Sequence, residues 1–134
     1  MSVNFIELHK EGRDLPIQLF SMLDCLRACM WLKPTRIVVG EVRGAEAHTL
    51  LKAWNTGHPG GAATVHANDG LSGLIRLESL IAEATNAPQQ VLIAEAVDLV
   101  VFVDEEPSVP AGRKVREVLL VTGYSNGEYA VERV

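Results

Sequence analysis

Two short apolar runs each end in a residue able to handle a charged oxygen. Arg36-Ile37-Val38-Val39-Gly40 leads into Glu41-Val42-Arg43-Gly44, and Ala62-Ala63-Thr64-Val65 leads into His66-Ala67-Asn68. A carboxylate can orient or deprotonate a water, or hold magnesium through water. An imidazole can sense or stabilise a terminal phosphate. In open α/β sheets, ligands bind beyond the carboxyl ends of the strands. If the two runs are neighbouring parallel strands, Glu41 and His66 emerge on the same edge. Gly40 lets the backbone approach a ligand closely, and Gly44 relaxes the turn after Arg43.

Plainer readings stand beside this one. A glutamate after a strand also serves as the negative charge at a helix N-terminus, and a histidine at a strand end can be purely structural. A zinc site built from His58, His66 and Glu41 is a further alternative, but it lacks the helical His-x-x-x-His or Cys-x-x-Cys spacing of such sites. The breaker-rich loop Thr56-Gly57-His58-Pro59-Gly60-Gly61 precedes the second run. It therefore belongs at the opposite strand end from His66, and His58 reaches the same ligand only if the loop folds over or faces a neighbouring subunit. Cys25 and Cys29, four apart on an expected helix, read as two small apolar core residues.

The elements that must hold these residues follow from composition and pattern. The 134 residues make one ordinary domain, with 48% hydrophobic and 22% charged residues, and a chain of this length buries a normal core without staples. Aromatic residues are only 5%, so Val, Leu, Ile and Ala must build that core. The formal net charge of -5 argues against holding nucleic acid by bulk electrostatics. Arg113, Lys114 and Arg116 form the most basic run and read as a solvated face at the start of a strand. No apolar signal core opens the chain. Val91 to Val103 is too short and too interrupted to span a bilayer, so a soluble, cytoplasmic protein is expected.

Along the chain, Val3 to Leu8 reads as a strand and Ile17 to Leu32 as a helix, with Pro16 in its first turn and Pro34 ending it. Arg36 to Gly40 and Ala62 to His66 read as short strands buried on both faces, as in a parallel sheet. Between them Ala45 to Trp54 is helical. Leu71 to Ala84 is an amphipathic helix with Leu74, Leu77, Leu80 and Ile81 on one side. Gln90 to Val97 forms another helix, and Leu99 to Val103 a third buried strand. After a loop from Glu105 to Gly112, strands from Val115 to Thr122 and Glu128 to Val131 flank the hairpin signal Ser125-Asn126-Gly127. This order predicts an α/β fold with a parallel sheet, flanking helices and a C-terminal antiparallel hairpin.

At the two chemistry-bearing segments the chain resembles a known family. Arg36 to Gly44 resembles the Walker B segment of the type II/type IV secretion ATPases, in which a Gly-Glu pair closes the strand. Thr56 to Asn68 resembles their histidine box. Leu51 to Asn55 and Ile93 to Asp98 fit the conjugal-transfer branch, and the likeness runs from about Asn4 to Val134. It implies a RecA-like P-loop NTPase core, ATP and magnesium as ligands, and a homo-hexameric ring of family subunits. It also implies inner-membrane secretion components as partners and a place at the cytoplasmic face of the inner membrane. It makes Glu41 the Walker B carboxylate, with magnesium held through water, and puts His66 near the terminal phosphate. Gly40, Arg43, Gly44, His58 and Thr64 become supporting or inter-subunit parts of the nucleotide site.

The same resemblance shows what is missing. The family's P-loop, Gly-x-x-x-x-Gly-Lys-Ser/Thr, cradles the phosphates with backbone amides and a lysine, and this sequence contains no Gly-Lys pair. Only 35 residues precede Arg36, so the P-loop, the acidic box after it and the N-terminal domain fall off the front. The family's usual arginine is replaced by Trp31 and its aspartate by Thr35. The chain thus reads as a truncated C-terminal portion, 1–104 carrying the α/β core and 105–134 the loop and hairpin. Weak or no ATP binding is expected of the chain alone. The alternatives are a non-enzymatic module that joins or regulates a complete ring, or a remnant. Loss of the strand carrying the P-loop leaves a sheet edge that needs cover.

Overall fold

The computed structural model describes residues 20–134, so the expected strand from Val3 to Leu8 and the helix start at Ile17 lie outside the described residues. Helix α1 spans Met22–Leu32. Ser21 caps it: its hydroxyl accepts from the Asp24 N–H at 3.2 Å, and the Asp24 carboxylate accepts from the Ser21 N–H at 3.0 Å. This reciprocal box satisfies two orphan donors at once. It also corrects the expectation that Phe20 and Ser21 are helical, because Phe20 lies before the cap and is exposed. Cys25 is exposed and Cys29 half-buried, so only Cys29 packs against the core.

After α1 come strand β1 (Val38–Val39), helix α2 (Glu46–Asn55), strand β2 (Ala62–Ala63), helix α3 (Gly70–Ala82) and helix α4 (Gln90–Ala96). Strands β3 (Leu99–Glu105), β4 (Arg113–Ser125) and β5 (Glu128–Arg133) follow. β1 and β2 pair in parallel, Val38 opposite Ala62 and Val39 opposite Ala63, as the crossover through α2 requires. β3, β4 and β5 form a separate antiparallel sheet. Asn126 and Gly127 both carry positive φ, 54° and 85°, the geometry of the tight hairpin turn their types predict.

Two expectations fail here for one physical reason. Leu99 to Val103 does not join the parallel pair: it runs antiparallel to β4, Leu99 opposite Leu120 and Val101 opposite Val118. Nor are the strands buried on both faces. Val38 is 53% exposed, Val101 is 48% exposed, and Ala62 and Ala63 are exposed. An aliphatic run records that a strand is suited to burial, whereas the burial itself depends on what packs on each face.

The core lies where α2 packs on α1, α3 and α4. Leu50, Leu51, Leu74, Leu80, Ile81 and Ile93 are its largest fully buried side chains. The expected face of α3 is present, with Leu77 half-buried beside Leu74, Leu80 and Ile81. Leu74 is 0% exposed, so Leu74→Ala is expected to cost about 2–5 kcal/mol through lost transfer energy and the cavity left behind. Urea unfolding checks this. A loss below about 1 kcal/mol would mean that α3 does not sit on a well-packed core.

Polar contacts tie the layers together. Glu78 of α3 accepts from the Tyr129 hydroxyl of β5 at 2.8 Å and from the Gln90 side-chain amide of α4 at 2.7 Å. Burial and the neighbouring Glu78 carboxylate push the Tyr129 hydroxyl far above its ordinary pKa, so it remains a donor.

Candidate functional site

β1 and β2 are locked to each other at both ends. Ala62 N–H donates to the Ile37 carbonyl at 3.3 Å, and Val42 N–H donates to the Thr64 carbonyl at 2.9 Å. The Thr64 hydroxyl donates to the Gly40 carbonyl. These bonds bring Glu41 and His66 together on the carboxyl side of the parallel pair. His66 Nε2 lies 2.9 Å from Glu41 Oε1, while the other carboxylate oxygen accepts from the Arg43 guanidinium.

Both loops are anchored on their far side too. Glu46, at the start of α2, accepts from the Arg43 N–H at 2.8 Å and the Gly44 N–H at 3.1 Å, which fixes the turn that follows Glu41. Burial pushes the Glu46 carboxyl up, but the backbone donors of Arg43, Glu46 and Gly44 outweigh it, and it stays below the usual range. On the histidine side, Asp69 caps α3 by accepting from the Ser72 N–H at 2.7 Å. Glu117 of β4 accepts from the Gly70 N–H at 2.9 Å and pairs with Arg133. The antiparallel sheet thus buttresses the loop that carries His66.

Sequence reasoning did not single out these supports. Glu46 had a readable signal, an acidic residue in the first helical turn. Glu117, 47 residues from Gly70, had none, because the contact exists only after the sheet docks on α3.

The remaining candidates separate by position. Nothing lies within 4 Å of a Cβ built at Gly40, so its free side faces open space. A Cβ at Gly44 would lie 3.0 Å from Glu83 Oε2 and 3.2 Å from Glu46 Oε2. His58 sits beyond the end of α2, its N–H donating to the Ala53 carbonyl at 3.1 Å, and its Nδ1 is buried without a partner. The neighbouring Gly60 lies against Arg36, which places this loop at the amino ends of the strands, away from His66. Among the described residues no group of three or more His, Cys, Asp or Glu is arranged to hold a metal ion. Arg116 pairs with Asp104 and Glu106, which anchors the basic run on β4.

The electrostatics favour an ionised Glu41. The hydrogen bond from Arg43 holds its carboxyl below the ordinary value of 4.5; burial opposes this, and the charges of Arg43 and His66 add to it. A carboxylate accepts at about four lone-pair positions, and the two neighbours leave positions free. The residues therefore fit a water-bridged divalent cation. They do not by themselves fit a triphosphate, since no glycine-lysine phosphate loop is present in the sequence. The site is also open: the His66 side chain is 92% exposed. It borders a hollow of ≈ 500 Å³ that includes Ser72, Arg76 and Ser79. Fixed donors act strongly only where water is excluded, and the His66 side chain faces water.

A pH prediction follows from the depressed Glu41 pKa. Its contribution to stability is complete above the unfolded carboxyl pKa and is lost as pH falls through the lower folded value. The difference in unfolding free energy between the native chain and Glu41→Gln is therefore expected to hold above pH 4.5 and to narrow below it. A difference that stayed constant through strongly acidic pH would contradict the pairing with Arg43 and His66.

Paired strands ending in a carboxylate and a histidine, flanked by helices, define an α/β class to which known proteins can be matched. The profile described as Type II/IV secretion system protein matches residues 16–108, and the chain belongs to this family. It is 52% identical over 111 residues to the conjugal transfer protein TrbB of Rhizobium radiobacter, a match covering 83% of this chain and 33% of that protein. The fold is similar to the VirB11 ATPase of the Brucella suis type IV secretion system, with a TM-score of 0.67 and 28% identity over 75% of this chain and 32% of the other. It is also similar to the Legionella pneumophila ATPase DotB, with a TM-score of 0.63 and 29% identity over 78% of this chain and 29% of the other. The chain spans about a third of the length of the curated relatives of the TrbB type that it matches. Among the described residues no helix is long and apolar enough to cross a membrane.

Proposed function

We propose that this chain is the C-terminal portion of a TrbB-like conjugal-transfer ATPase of type IV secretion. In this reading it contributes the Walker B and histidine-box half of a RecA-like nucleotide site. One observation carries the proposal: the Glu41 carboxylate and the His66 imidazole converge at 2.9 Å from neighbouring parallel strands. Glu41 would hold magnesium through water, and the ion, when bound, would offset phosphate charge. The carboxylate's depressed pKa makes it a weak proton acceptor while Arg43 holds it. Its first task is therefore to orient a water, and it becomes a base only when that pairing opens. His66, exposed and anchored by its loop, donates to the terminal phosphate. Arg43, Gly40, Gly44 and Thr64 shape the turn and strand ends around them, and His58 supports the neighbouring subunit's side of a hexameric ring. The ring works at the cytoplasmic face of the inner membrane with secretion components.

A second reading is a non-enzymatic module that joins a complete ring. The outward-facing Trp31 and Leu32, 87% and 80% exposed, favour it, because large apolar side chains in water commonly mark contact surfaces.

The test is complementation. The chain is combined with the separately produced remaining two-thirds of a TrbB protein, and ATP hydrolysis is followed. The chain alone is expected to be inert and the combination active. An associated but inactive combination would count against the ATPase reading and favour the module, whereas hydrolysis by the chain alone would contradict the importance of the missing phosphate loop.

A further inference from the structure

His66 is anchored from two directions. On the strand side, the Thr64 carbonyl accepts from the Val42 N–H. On the helix side, only Ala67, Asn68 and Asp69 separate it from Gly70, the first residue of α3. A helix start leaves its first N–H groups without partners inside the helix. Asp69 takes the Ser72 N–H within its own turn, but the Gly70 N–H goes to Glu117 Oε2 on β4. The approach leaves no room for a side chain: a Cβ at Gly70 would lie 2.7 Å from Glu117 Oε2 and 2.7 Å from Leu119 Cδ1. Glu117 is itself held. Its side chain is only 14% exposed, and its other oxygen pairs with the guanidinium of Arg133 on β5, whose side chain is 76% exposed.

The body of α3 is fixed by other means. Leu74, Leu80 and Ile81 are fully buried, and Glu78 accepts from the Tyr129 hydroxyl at 2.8 Å. Loss of Glu117 therefore frees the first turn and the loop back to His66 while the rest of the helix stays in place. That loop sets the contact of His66 Nε2 with Glu41 Oε1 at 2.9 Å, which is no longer a hydrogen bond beyond roughly 3.5 Å. We propose that Glu117 is a positioning residue for His66: by accepting from Gly70 it sets where the imidazole stands against Glu41, and Arg133 holds it to that task. The antiparallel sheet is thereby coupled to the site through one charged relay. The catalytic consequence rests on the ATPase reading above, whereas the geometric one rests on the contacts alone.

The experiment follows the His66 imidazole resonances and residue-resolved amide exchange in the full chain. Glu41→Gln supplies the signal of the unpaired imidazole. Glu117→Ala is expected to move the His66 signal towards that reference and to speed exchange at Gly70 about tenfold, with Leu74 to Ile81 still protected. Glu117→Gln, whose amide oxygen can still accept from Gly70, is expected to restore most of the native signal. Arg133→Ala removes a mostly exposed side chain, so it keeps the test open if Glu117→Ala does not fold; it is expected to move the signal part of the way. Tyr129→Phe, which removes the other tie to α3, is expected to lower stability and leave the His66 signal native. An unmoved His66 signal in Glu117→Ala and Arg133→Ala overturns the proposal. So does an equal movement in Tyr129→Phe, which would mean general loosening, or a Glu117→Gln variant no better than Glu117→Ala. In the assembly with the remaining two-thirds of a TrbB protein, Glu117→Ala is expected to lower kcat about tenfold with KM for ATP little changed. A native assembly that never hydrolyses ATP overturns the ATPase reading and leaves the His66 signal to decide the positioning role. Native hydrolysis with kcat unaltered by Glu117→Ala overturns that role in catalysis and leaves the ATPase reading standing.

Discussion

Glu41→Gln in the complemented assembly is expected to lower ATP hydrolysis at least about a hundredfold while leaving nucleotide affinity little changed. Glutamine keeps the shape of the side chain and one carbonyl oxygen but carries no charge. It can neither hold a water-bridged cation well nor accept a proton. In the proposed reading the phosphate loop lies on the other polypeptide, so binding and turnover are expected to separate. The substitution also removes the charge that pairs with Arg43 and His66, and folding must be monitored in parallel. Retained hydrolysis within about tenfold of the native rate would remove Glu41 from the chemistry. The position would then be left with its plainer role as a charge beside a helix start.

Gly61→Ala is expected to be the most damaging small substitution, at about 3 kcal/mol and a fall in Tm on the order of 10 °C. A Cβ there would fall within the envelope of the Trp54 indole nitrogen and lie 2.5 Å from the Ile37 carbonyl oxygen. That carbonyl already accepts from Trp54 Nε1 at 3.1 Å and from the Ala62 N–H. Relief requires β2 to move away from β1, which would also draw His66 away from Glu41. Gly57→Ala is the control. Gly57 has φ 125° and nothing within 4 Å of a built Cβ, so alanine there meets strain without a clash and should cost about 1 kcal/mol. Equal losses at the two positions, measured by thermal and urea unfolding, would refute the clash.

The pairing of Glu41 with Arg43 and His66 also bears on how the site works. Among the described residues both carboxylate oxygens have cationic or imidazole neighbours, and the Arg43 and His66 side chains are open to water.

Local physics made several features legible from the amino acids alone. The apolar spacing of Leu74, Leu77, Leu80 and Ile81 is a property of one helix face, and the Asn126-Gly127 turn needs only two residues tolerant of positive φ. Two short strands joined by one helix suggest a parallel pair, and the observed pairing of β1 with β2 brings Glu41 and His66 to the same edge. The tertiary structure decided the rest. Whether Leu99 to Val103 joins the parallel pair or β4 depends on which edge is available, and an aliphatic run suits either. Val38 and Val101 have the composition of buried residues, yet they are exposed because none of the described residues covers that face of their strands. Glu117 reaches the start of α3 across 47 residues, a distance over which no periodicity or cap carries information. Sequence determined which residues could meet at the site, and packing determined what holds them there and which side remains open.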